Sequence, residues 1–72
     1  MMQVKGKVVH ETLEGGIWLL EGDDGKRYQL NGGDAKLLKD GQRATVNGDV
    51  DKNAMSFGMV GEILKVKSYT LG

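Results

Sequence analysis

The chain has 72 residues, no cysteine and no proline, with ten basic and ten acidic side chains and a formal net charge of zero. One small domain is therefore expected over residues 1–72, near the lower size limit at which a single core holds a fold, without disulfides, thiolate metal sites or a thiol nucleophile. Neutrality disfavours bulk electrostatic attraction to nucleic acid or an anionic membrane, and the longest apolar run, Ile17-Trp18-Leu19-Leu20, is too short for a membrane span or signal-peptide core.

Glycine, at 12 of 72 residues, is about twice its usual frequency of roughly 7%. The glycines fall between alternating apolar runs, where they mark turns, bulges and strand bends. From Met2 to Glu11 the alternation places Met2, Val4, Gly6 and Val8 on one face and Gln3, Lys5, Lys7 and Val9 on the other, the period of a half-buried strand. Residues 12–16 read as a loop. Ile17 to Glu21 form a second strand, with Ile17 and Leu19 opposite Trp18 and Leu20. Gly22-Asp23-Asp24-Gly25 is a hairpin turn signal, because Asp-Gly tolerates positive φ. Lys26 to Leu30 return as the third strand, Tyr28 and Leu30 on one face.

A short helix is expected next, with Asp34 as N-cap, Ala35 to Lys39 as helix formers and Gly41 as the stop. The fourth strand runs from Gln42 to Val50, with Ala44, Val46, Gly48 and Val50 inward and Arg43, Thr45, Asn47 and Asp49 outward. Asp51-Lys52-Asn53 reads as a turn. The last strand spans about Met55 to Tyr69, with a bulge near Gly61 where Ile63 and Leu64 break the alternation. An all-β fold with one short helix between its third and fourth strands is the order of an OB-fold-like, five-stranded Greek-key barrel. An SH3-like barrel would place its helical turn before the last strand, where Asp51-Lys52-Asn53 leaves no room.

Several segments also carry a resemblance. Glu14-Gly15-Gly16-Ile17-Trp18, Asp24-Gly25 followed by Tyr28, Asp40-Gly41 before a Val-rich strand, and Ser56 leading to Met59-Val60-Gly61-Glu62 resemble a family of small bacterial OB-like domains of unknown function. The resemblance covers nearly the whole chain and implies a fold, since its signature is turn glycines and core aromatics. Where that family carries a His-Met-Trp-Gly run, this chain has Gly58-Met59-Val60-Gly61.

Catalysis is not expected. His10 is the only histidine and reads as a surface residue, remote in sequence from Ser56 and Ser68. The acids Glu11, Glu14, Glu21, Asp23 and Asp24 lie in loops and turns, where water screens them from acid–base work. Asp49, Asp51 and Asn53 have the spacing that opens a calcium loop. Ala54 and Val60 then stand where such a loop needs Gly and Glu, so the segment reads first as a turn. No cofactor is implied.

Binding remains. OB-type barrels present the face of strands two and three to oligonucleotides and oligosaccharides. Trp18, Tyr28 and Phe57 are candidate stacking residues there, with Arg27, Arg43 and Lys52 as candidate phosphate contacts. Lys5 with Lys7 and Lys65 with Lys67 form two alternating basic pairs on outward strand positions. Acids gather at the expected rim, however, and Trp18 and Tyr28 are also the rings a small core needs. The expectation is a monomeric, cytoplasmic, non-enzymatic binding module for a protein or neutral oligomer, with Trp18, Arg27, Tyr28, Phe57 and Lys52 as its site. The alternative is a single-stranded nucleic-acid-binding domain.

Overall fold

The computed structural model describes residues 2–12, 16–51 and 62–72. Five strands account for most of them: β1 (Met2–Glu11), β2 (Ile17–Gly22), β3 (Arg27–Asn31), β4 (Arg43–Val50) and β5 (Glu62–Leu71). They close a barrel in the order β1-β2-β3-β5-β4. Every neighbouring pair is antiparallel except β3 and β5, which run parallel.

The expected alternation decides what faces inward. Val4, Val8, Leu20, Tyr28, Leu30, Ala44, Val46 and Leu64 fill the core together with Leu37, and none of the described buried residues is polar or charged. β1 serves two neighbours, pairing Gly6–Glu11 with β2 and Met2–Lys7 with β4. The hairpin between β2 and β3 closes as expected. The Gly25 amide donates to the Gly22 carbonyl at 3.0 Å, Gly25 adopts φ 86°, and Asp24 Oδ1 accepts from the Lys26 amide.

Two expectations need correction. Among the described residues there is no helix between β3 and β4, and a hydrogen-bonded turn stands in its place. Asp34 caps it as anticipated, Oδ1 accepting from the amides of Lys36 and Leu37, and the Leu38 amide donates to the Asp34 carbonyl. The Gln42 side chain closes the turn, donating from Nε2 to the carbonyls of Lys36 at 2.6 Å and Leu37 at 3.1 Å. Leu37 is buried at the barrel end, and the Gly41 amide donates to the Val8 carbonyl. One turn is enough to seat that leucine, and so few residues carry little helical stability of their own.

The last strand also ends later than expected, at Leu71. Its pairing with β4 slips between Asn47, opposite Ser68, and Gly48, opposite Val66, which leaves Lys67 as the extra residue. The bulge expected near Gly61, the turn through Lys52 and Asn53, and residues 55–61 of the expected strand lie outside the described residues.

Candidate functional site

Strand register places the outward side chains of β1, β2, β3 and β5 in rows. The central row is Val9, Leu19, Gln29 and Ile63, each opposite the next. On one side lies the row Lys7, Glu21 and Arg27. On the other, Glu11 faces Ile17 across one pair and Asn31 faces Lys65 across another. This wall is apolar at its centre and carries both signs of charge at its margins.

Leu19 and Ile63 point away from the barrel interior, yet they are only 2% and 8% exposed. Val9, Ile17 and Gln29 are half-buried, whereas Arg27, Asn31 and Lys65 are exposed. Gln29 Oε1 is buried and accepts no hydrogen bond. An amide oxygen withdrawn from water without a donor costs about 1–3 kcal/mol, so the wall holds one acceptor in an unfavourable state. Arg27 Nη2 donates to Glu21 Oε2 at 2.9 Å, an exposed pair that removes much of its charge from play.

The residues singled out from sequence do not share one surface. Arg27 stands on the outer wall. Tyr28 lies inside the barrel at 4% exposure, opposite Leu20. Trp18 is half-buried against the core, and its indole is stacked on the His10 ring, centroids 4.4 Å apart and planes at 27°. Phe57, Lys52 and Asn53 lie outside the described residues. Ile17, Leu19 and Ile63 were not picked out as site residues. The signal for the first two was the run Ile17 to Leu20, which is apolar at both parities and so reads as a strand covered on both faces.

Three carboxylates among the described residues are held below their ordinary range. Arg43 holds Asp23 below its ordinary range through a two-pronged contact at 3.1 and 2.8 Å, and Lys67 does the same to Asp49 at 3.0 Å. The Tyr69 hydroxyl donates to Asp34 Oδ1, which lowers the carboxyl and raises the phenol. Each of these carboxylates is therefore held ionised. Among the described residues no group of three or more His, Asp or Glu side chains could hold a metal ion, and no helix is long and apolar enough to cross a membrane.

Comparison with protein families, with characterised proteins and with solved structures yields no match for this chain.

Proposed function

We propose that the chain is an OB-like barrel acting as a binding module without catalysis. Its ligand is a protein segment or an uncharged oligomer, taken on the outer wall of β2 and β3. The strand order with its parallel β3–β5 pair supports the OB-like reading, and in that architecture this wall is the ligand face. The Arg27–Glu21 ion pair carries the choice of ligand: its cation is already matched on this wall and offers a polyanion little, whereas the exposed Asn31 amide can both donate to and accept from a peptide group or a sugar hydroxyl.

A resonance titration with short uncharged oligosaccharides and with neutral extended peptides tests the assignment. Shifts should centre on Ile17, Arg27, Gln29 and Asn31 and persist between about 50 and 200 mM salt, since no counterions are released. Asn31→Ala, which removes the exposed amide, should weaken them. Silence from both probes at millimolar concentration, or shifts elsewhere on the barrel, would overturn the reading.

A further inference from the structure

The topology gathers the basic residues on a second wall. β1 and β5 are remote in sequence, but both pair with β4, so their outward lysines flank one strand. Register gives the rows Gln3–Asn47–Ser68 and Lys5–Thr45–Thr70, with Lys7 opposite Arg43 and Asp49 opposite Lys65. The bulge at Lys67 keeps this side chain on the same wall, where its ammonium meets Asp49. Neighbouring strands lie about 4.8 Å apart, and alternate residues along a strand about 6.6 Å apart, so the cations form a compact array.

Five cations (Lys5, Lys7, Arg43, Lys65 and Lys67) meet three carboxylates: Asp49, the Asp23 that reaches Arg43 from the hairpin, and Glu21, which stands opposite Lys7 and pairs with Arg27. Lys5, Lys7 and Lys65 are exposed and join no ion pair among the described residues. The zero net charge of the chain is thus compatible with a locally positive face. Between the cations stand Gln3, Thr45, Asn47, Ser68 and Thr70, with the Asn47 amide donating to Ser68 Oγ at 3.2 Å.

We infer that the outer wall of β1, β4 and β5 binds the phosphodiester backbone of nucleic acid, independently of the ligand proposed for β2 and β3. Lys, Arg, Ser, Thr, Asn and Gln are the side chains that donate to phosphate and sugar oxygens, and here they occupy nearly every outward position. The described aromatic rings, Trp18, Tyr28 and Tyr69, pack in or against the core, so the wall offers phosphates contacts and bases no stacking platform. Recognition is accordingly independent of sequence. An anionic bilayer fits less well, because a barrel wall curves away from a plane and the positions between the cations, Gln3, Thr45, Asn47, Ser68 and Thr70, are polar.

The test is fluorescence anisotropy with a labelled oligothymidylate of about twelve nucleotides, repeated with a duplex of equal length and with phosphatidylserine vesicles. With three to five phosphate contacts, the logarithm of affinity should fall against the logarithm of salt with a slope of about −2 to −3.5. Amide shifts should map to Lys5, Lys7, Thr45, Ser68 and Thr70. The triple variant K5Q/K7Q/K65Q should lose about tenfold or more in affinity, and K5R/K7R/K65R should keep it, with Trp18 fluorescence reporting that both are folded. Binding by single strand or duplex supports the inference and identifies which backbone is held. No binding at low salt, binding to vesicles alone or an unaffected triple Gln variant would each overturn it without touching the proposed β2–β3 ligand, and shifts at Arg27 and Asn31 instead would overturn both.

Discussion

A methyl group at Gly48 would sit 1.9 Å from the Lys65 carbonyl oxygen, and one at Gly6 would sit 2.1 Å from that of Glu21. Both obstacles are backbone in paired strands, so neither can swing aside. Gly48→Ala should therefore cost about 3 kcal/mol or more in urea unfolding, the upper range for overpacking. Gly25→Ala, at positive φ but with nothing nearby, should cost only the left-handed penalty of about 1–2 kcal/mol. Equal costs at the two sites would refute this account. Gln29 behaves oppositely: Gln29→Met removes an unsatisfied acceptor, so stability should rise by about 1 kcal/mol. A destabilised Gln29→Met would show that the oxygen is satisfied in solution. Asp34 and Tyr69 supply the pH dependence. Asp34 is depressed below its ordinary 3.8, so its contribution is present above that value and is lost as pH falls through the lower folded one. Tyr69 is raised above 10.0, so its contribution is present below that value and is lost as pH rises through the folded one. Tyr69→Phe should flatten both limbs of the stability profile; unchanged limbs would mean the contact is not formed.

The turn from Asp34 to Gln42 shows where sequence and structure part. Asp34 as the acceptor for the amides of Lys36 and Leu37 was legible, because it acts on backbone within a few residues. That a turn would stand where a helix was expected was not, since the turn is closed by Gln42 reaching back to the carbonyls of Lys36 and Leu37. A polar residue at the start of a strand gives no local sign of this. The alternation of β1 and β4 was legible for the same reason that Asp34 was: a period of two suffices to place Val4, Val8, Ala44 and Val46 inside. The wall of β2 and β3 was legible only in part. Tyr28 was as plausible inside as out, and Trp18 was favoured for the core, until the register set Tyr28 opposite Leu20 and Trp18 opposite His10. Because Leu37 is the fully buried residue of this turn, with Leu38 packed against the core beside it, Leu37→Ala should cost about 2–5 kcal/mol, comparable to a buried strand leucine. A loss below 1 kcal/mol would mean that the barrel end collapses to fill the space.

At the scale of the whole molecule, the strand order matters more than any single contact. The lysine pairs at the two ends of the chain were visible in the sequence, but only the insertion of β4 between β1 and β5 makes them one surface. The same order sets how the protein must fold. The hairpin between β2 and β3 is local, but closure joins Met2 to Gly48 and Tyr28 to Glu62, and until those pairs form the core has no fourth or fifth wall. Loop-closure entropy has to be overcome before these pairings bring any burial, so the barrel should refold slowly for its size, in milliseconds to seconds. Trp18 reports the event well, because its stack on His10 needs β1 and β2 registered and its packing on the core needs the barrel closed. Stopped-flow refolding should give one exponential in Trp18 fluorescence, matched by far-ultraviolet circular dichroism. If fluorescence recovered in microseconds while dichroism lagged, the β1–β2 unit would be folding alone, and the core would not be the single cooperative unit that the strand order implies.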